Sequence, residues 1–288
     1  MKALLLCPPE QTETKILAAN APLAAVPMLG ASLVEYWLSH LALTGVSHVR
    51  VLAHDRPEHI CALAADGARW GLSVEVTAEP RELTASQAMV KYASELGSTA
   101  DPAKLVVLDH LPGMSEQPLF SSYAEWFNGL RAWMPRALTP DRVGVRELRP
   151  GVWVGIHSRI SPDACLIAPS WVGERVFVGA HAVIGPHAII ESGAFIEPGV
   201  EITESWVAPD TFVGQLARIA RSLAAGNQLV HWPTATATTI LDPFLMCRLR
   251  HPRRLRGPGW LTRAADVYSR NKEDVACLWK QLLLHKEG

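Results

Sequence analysis

Three histidines, His157, His181 and His187, stand at intervals that are multiples of six residues, and Asp163 precedes His181 by eighteen. An imidazole oriented by a carboxylate is a general base, able to draw a proton from an attacking hydroxyl or amine. The competing reading is that such polar residues simply face solvent. A second group is Arg248, Arg250, Arg253, Arg254 and Arg256, with His251, close behind the apolar run Ile240 to Met246. Guanidinium groups there could meet the phosphates of a nucleotide, of a polyprenyl-phosphate enzyme or of an anionic membrane surface. Against this stands an ordinary exposed basic turn, broken by Pro252, Gly257, Pro258 and Gly259. His231, within Gly226 to Pro233, reads as structural, in a strand or loop laid along the neighbouring elements.

The elements that hold the histidines follow from a repeat. Val154, Ile160, Leu166, Val172, Val178, Ile184, Ile190, Ile196 and Ile202 are aliphatic at every sixth position. The next residue is mostly glycine or acidic (Gly155, Gly173, Gly179, Gly185, Glu191, Glu197). This resembles the hexapeptide repeat of left-handed parallel β-helices, a triangular prism in which six residues supply one strand and one corner. Small residues suit the corners, where φ turns positive or a Cβ would strike the next coil. The pattern slips by one near Trp206 and resumes at Val207 and Val213, giving a little over three coils about 4.8 Å apart. The open ends need covers, expected from the preceding domain and from Gln215 onward, with Trp153 and Trp206 flanking the ends. Trimeric hexapeptide acyltransferases use a histidine base in a cleft between prisms, which makes His181, one coil above Asp163, the candidate base.

Before the repeat, apolar strands alternate with helical patterns, the mark of an open α/β sheet. Strands are expected at Lys2–Cys7, His48–Ala53, Leu72–Thr77 and Lys104–Leu108. Leu33, Val34, Trp37, Leu38 and Leu41 form a helical stripe, and Thr84 with Gln87 a capping box. Met1-Lys2-Ala3, Thr12, Leu17, Asn20, Pro22, Val26-Pro27, Gly30, Gly45-Val46, Asp66-Gly67, Arg69-Trp70-Gly71 and Glu79-Pro80 together resemble the opening of the sugar-1-phosphate nucleotidyltransferases. Several members of that family append a hexapeptide β-helix. The resemblance covers most of residues 1–110 and 150–214.

The residues that the resemblance assigns to chemistry are replaced. Where the family has a glycine-rich phosphate loop, this chain has Pro8, Pro9, Glu10 and Gln11, and proline has no N–H to donate. Thr12 remains, the loop's arginine is Glu13, and the lysine after Pro22 is Leu23. The family's metal-binding aspartate falls on Leu111, and Asp109 substitutes only if the strand register moves. About forty residues separate Leu111 from Val154, fewer than the family's sugar-binding lobe needs. Phosphoryl transfer depends on positioned charge and metal, so the resemblance implies a catalytically inactive, truncated relative.

The chain of 288 residues, with 27 basic and 28 acidic side chains, gives no overall charge to attract nucleic acid. With 49% hydrophobic and 19% charged residues it has a core, and wholesale disorder is excluded. Five scattered cysteines without a CxxC pair indicate neither a disulfide framework nor a zinc site. The apolar start is cut short by Pro8, so a cytoplasmic protein without a transmembrane segment is expected. The resulting expectation is a truncated Rossmann-like nucleotidyltransferase domain (1–150), a left-handed β-helix (151–216) and a C-terminal extension (217–288). That extension ends in a helical tail striped by Ala265, Tyr268, Val275, Leu278, Trp279 and Leu282. Its expected role is regulation or scaffolding in nucleotide-sugar or exopolysaccharide biosynthesis. An active sugar-1-phosphate nucleotidyltransferase and a hexapeptide acyltransferase are the alternatives. No metal or cofactor is expected, Mg2+ entering only with an active nucleotidyltransferase. Expected partners are a second copy through the β-helix, a pathway enzyme, and a peripheral membrane contact through the arginines.

Overall fold

Alternation along the first strand sends Ala3 and Leu5 into one apolar cluster and Leu4 and Leu6 into another, so this strand is covered on both faces. The computed structural model of the chain describes residues 2–92, 105–114, 119–138 and 144–249. The strand is β1 (Lys2–Leu6), followed by α1 (Leu33–Leu43), β2 (His48–Ala53), α2 (Pro57–Ala64), β3 (Ser73–Ala78), α3 (Ala85–Tyr92) and β4 (Leu105–Leu108). All four strands are parallel, in the order β3-β2-β1-β4. The open α/β sheet expected from the alternating pattern is therefore present.

Local sequence sets the helix starts. Ser32 and Glu35 exchange a reciprocal capping box at α1, with the Ser32 N–H donating to Glu35 Oε2 at 2.8 Å. Thr84 and Gln87 do the same at α3. The α1 stripe of Leu33, Val34, Trp37, Leu38 and Leu41 is wholly buried.

After α4 (Tyr123–Trp133) and β5 (Val145–Arg149), the chain winds into coils of three short strands. The first coil holds β6 (Val152–Gly155), β7 (Arg159–Ile160) and β8 (Cys165–Leu166); the second β9 (Ser170–Val172), β10 (Phe177–Val178) and β11 (Val183–Ile184). The third holds β12 (Ala188–Ile190), β13 (Phe195–Ile196) and β14 (Glu201–Thr203); the fourth β15 (Trp206–Val207), β16 (Thr211–Val213) and β17 (Arg218–Ala220). A fifth begins with β18 (Ser222–Ala225) and turns back as β19 (Gln228–His231), β20 (Thr236–Thr239) and β21 (Met246–Arg248). Corresponding strands pair in parallel and form the three faces of a β-helix. The slip at Trp206 is one residue deleted from a coil, because Ile202 pairs with Ile219 and Phe195 with Phe212. Ile219 and Ala224 carry the inward row onward past Val213.

Two corrections concern how the repeat is built. Positive φ at the corners is mostly held by residues other than glycine, among them His157, Arg175, His181, His187, Glu204 and Leu216. Gly155 is needed instead for close stacking: a Cβ there would lie 2.5 Å from the Glu174 nitrogen of the next coil. Secondly, the α/β domain covers a side of the prism rather than its end. Trp153, Trp171, Ile189, Trp206 and Leu223 point outward from the face of β6, β9, β12, β15 and β18 and join one cluster with Trp126, Phe127 and Trp133 of α4. Trp153 and Trp206 thus belong to that buried face and not to the prism ends. The antiparallel β5 extends the first coil, and Met246 closes the other end of the inward row.

Candidate functional site

In an open α/β sheet, ligands settle beyond the carboxyl ends of the strands where the order reverses, here beside β1 and β4. Among the described residues, apolar side chains stand at that position. Leu23, where the resemblance expects a lysine, is 1% exposed within the core. Leu111, where the resemblance expects a metal-binding aspartate, is 2% exposed in the same cluster. Asp109 is exposed and lies 2.6 Å from His110 Nδ1, while the His110 carbonyl accepts the Trp37 indole N–H at 2.6 Å. The Leu111 side chain has no oxygen to offer a magnesium ion, and the neighbouring Asp109 is turned toward the His110 imidazole.

The loop after β1 is tied down rather than open for a phosphate. Pro8, Pro9 and Gln11 are half-buried, and Glu10, Thr12 and Glu13 are exposed. Thr14 is buried and its hydroxyl donates to the Phe120 carbonyl at 3.2 Å, and the Ile16 N–H donates to the Tyr123 hydroxyl at 3.3 Å. Burial pushes the Cys7 thiol up to about 12, leaving it protonated and a poor nucleophile at neutral pH. A cavity of about 20 Å³, large enough for one water molecule, is lined by Leu6, Cys7, His54, Glu79, Arg81 and Leu83 among others. Burial would raise the Glu79 carboxyl, yet it is held below the usual range by Lys91, whose Nζ lies 2.7 Å away, and by the Tyr92 hydroxyl.

The prism histidines share a place in the repeat but occupy three different edges. His157 lies between β6 and β7, His181 between β10 and β11, and His187 between β11 and β12. They cannot act together. His187 is half-buried against α4, where its Nε2 accepts from Arg131 Nη2 at 3.3 Å; burial first, then Arg131, pushes its pKa below the usual imidazole value. His157 and His181 are exposed. Asp163 does share the edge of His181, one coil earlier, as the pairing of Cys165 with Val183 requires. No hydrogen bond joins Asp163 to His181 among the described residues, since neither has a further partner.

Of the arginine group, Arg248 is described: it lies on β21, and its Nη1 donates to Asn20 Oδ1 at 2.6 Å. Arg250, Arg253, Arg254 and Arg256 lie outside the described residues, as does the stripe from Ala265 to Leu282. His231, on β19, contacts the Thr234 hydroxyl at 2.9 Å. Among the described residues, no cluster of three histidine, cysteine or carboxylate side chains could hold a metal ion.

One residue that sequence reasoning treats as a repeat position has a larger part. Glu191 is fully buried, and its carboxylate accepts the N–H groups of Leu29 at 2.6 Å and Gly30 at 2.8 Å and the Trp206 indole N–H at 3.1 Å. Leu29 and Gly30 both have positive φ, which aims successive N–H groups at one point and makes an anion nest. The prism itself fills that nest. The available signal was a carboxylate in the repeat facing a bulky indole fifteen residues later.

Residues 169–204 match the bacterial transferase hexapeptide family (six repeats). His181 and His187 fall within the match. Among solved structures, the chain is similar to the acetyltransferase domain of PglB from Neisseria gonorrhoeae FA1090, at 13% identity over 78% of this chain and 87% of that one, with a TM-score of 0.25. The same domain in complex with acetyl coenzyme A matches at 14% identity over 83% and 98%, with a TM-score of 0.26. A variant of perosamine N-acetyltransferase from Caulobacter crescentus, in complex with CoA and GDP-perosamine, matches at 12% identity over 68% and 97%, with a TM-score of 0.19.

Proposed function

We propose that the chain is a group-transfer protein of the hexapeptide-repeat kind, moving an acyl group at the prism edge that carries His181. The observation behind this reading is the transferase hexapeptide match over residues 169–204, which includes that edge. Of the two histidines within the match, His181 is exposed, whereas His187 is half-buried against Arg131, and Asp163 stands one coil away on the His181 edge. In this reading the incoming amine or hydroxyl bonds to the acyl carbon, the carbon–sulfur bond of an acyl-CoA breaks, and His181 takes the nucleophile's proton and returns it to the departing thiolate. The α/β domain then serves as the cover of one prism face. Release of free CoA thiol from acetyl-CoA, with amino- and hydroxy-sugar nucleotides as acceptors, is the test: His181→Ala is expected to slow it by about 10²-fold or more. Turnover unchanged by that substitution would rule out the assignment.

A second reading rests on the apolar residues at the strand ends. Leu23 and Leu111 in the core support a nucleotidyltransferase-like domain that has lost catalysis and acts as a regulator or scaffold in nucleotide-sugar or exopolysaccharide biosynthesis. Each NTP, incubated with Mg2+ and a sugar-1-phosphate, then releases no pyrophosphate. Pyrophosphate release abolished by Asp109→Asn would instead establish an active nucleotidyltransferase.

A further inference from the structure

The corner row that holds His181 continues past it. Strand register stacks Cys165, Val183, Glu201 and Arg218 on the face that follows this edge, so the residues two places earlier, Asp163, His181, Gly199 and Leu216, form one row. Backbone hydrogen bonds hold its later corners together: the Gly199 N–H donates to the Ala180 carbonyl at 2.9 Å, and the Leu216 N–H to the Pro198 carbonyl at 3.2 Å. Gly199 has no side chain, and Leu216 leans into the space that this leaves. A Cβ on Gly199 would lie 2.6 Å from Leu216 Cδ2. With coils about 4.8 Å apart, the exposed imidazole of His181 has a carboxylate one coil before it and an isobutyl group one coil after it.

The fold gives no reason for a leucine there. Leu216 is 72% exposed and has a φ of +61°, a conformation that crowds a Cβ against the backbone and that glycine adopts freely. From Val152 to Ala225 the other corners of positive φ that are not glycine carry polar side chains, among them Arg175, Glu204, Asp210 and Arg221. Strain and exposure combined in one apolar residue, in the row of the candidate base, point to a ligand contact. The acyl transfer proposed above brings an acyl carbon within reach of His181, and its hydrocarbon then runs along the edge in one of two directions. Toward Asp163 it would strip water from a carboxylate; toward Leu216 it covers apolar surface. An acyl group that ends in its own carboxylate is repelled on the first side and unpaired on the second. Arg218, on the adjoining strand, is already paired with Glu201 at 2.9 Å.

We propose that Leu216 determines donor specificity: it seats the hydrocarbon of a short, uncharged acyl group beside His181 and stops longer chains. This inference rests on the acyl-transfer reading. Its test compares acetyl-CoA, butanoyl-CoA and succinyl-CoA as donors to the full chain, by thiol release with the acceptors named above and by calorimetric affinity without acceptor. Acetyl-CoA is the expected preference, and Leu216→Ala should raise the butanoyl-to-acetyl ratio of kcat/KM about tenfold. The ratio of affinities should move the same way. The side chain is exposed, so an unchanged melting temperature separates altered specificity from misfolding. Leu241→Ala, which removes a leucine 90% exposed on the turn after β20, should leave the ratio alone. If His181→Ala stops release while Leu216→Ala leaves both ratios unmoved, the role of Leu216 is overturned and the transfer reading stands. Succinyl-CoA used as well as acetyl-CoA, or an equal shift in Leu241→Ala, overturns that role too. Binding of none of the three donors, or release indifferent to His181→Ala, overturns the transfer reading and this inference with it.

Discussion

The β-helix carries two aromatic ladders at equivalent outward positions, and they meet different fates. On one face Trp153, Trp171 and Trp206 lie under α4, with Trp126 and Trp206 edge to face at 6.1 Å. On the adjacent face Phe177, Phe195 and Phe212 stack on one another at 4.4 and 6.0 Å and remain partly open to solvent. The inward row is the same behind both. The difference shows that a six-residue repeat fixes what fills the prism but leaves each face's outer residues free to record what packs there. Where the α/β domain docks, they become a second core; elsewhere they form a stack of rings that stabilise mainly their neighbours.

Substitution should separate the two ladders by energy. Trp206→Ala opens a cavity between prism and α4 and removes a donor to Glu191, so a loss of about 4 kcal/mol is expected in denaturant unfolding. Glu191→Gln comes next: an amide NH2 replaces one acceptor facing Leu29 or Gly30, and about 2–3 kcal/mol should be lost. Phe195→Ala, on the open ladder, removes ring stacking but uncovers little buried surface, and about 1 kcal/mol is expected. If Phe195→Ala proved as damaging as Trp206→Ala, the open face would have to be covered by something, a second copy being the first candidate to check by sedimentation velocity.

The same contrast explains how much could be read beforehand. The inward row from Val154 to Ile202 is legible because one environment repeats at a fixed interval, and the open α/β sheet because strand and helix periods alternate. The residues after β1 were readable only in part: Pro8 and Pro9 have no N–H to donate, and the apolar Leu23 and Leu111 are core residues. What stayed hidden depends on pairs of segments far apart in the chain. Nothing near Glu191 announces Leu29 and Gly30, and nothing in the spacing of the tryptophans says that one face of the prism meets α4. The histidines misled for a related reason. Their spacing in multiples of six implies equivalence within the repeat, but three corners per coil place His157, His181 and His187 on different edges, so equivalence in sequence is separation in space.

The smallest effect concerns the seam between the buried face and α4. His187 accepts from Arg131 there and is held below its ordinary pKa of 6.5, first by burial and then by that guanidinium. Because the folded protein resists protonation and the unfolded chain does not, the unfolded state binds more protons as pH drops below about 6.5. The neutral ring's contribution is therefore complete above that pH and is lost as pH falls through the lowered folded value. Arg131→Gln removes one cause of the depression and leaves burial, so the acid-side decline in melting temperature should become shallower without vanishing. His187→Gln, which has no proton to gain, should remove this part of the decline. A decline of the same slope in both variants would mean that acid weakens the protein elsewhere, and the seam would then owe its strength to the tryptophans and Glu191 alone.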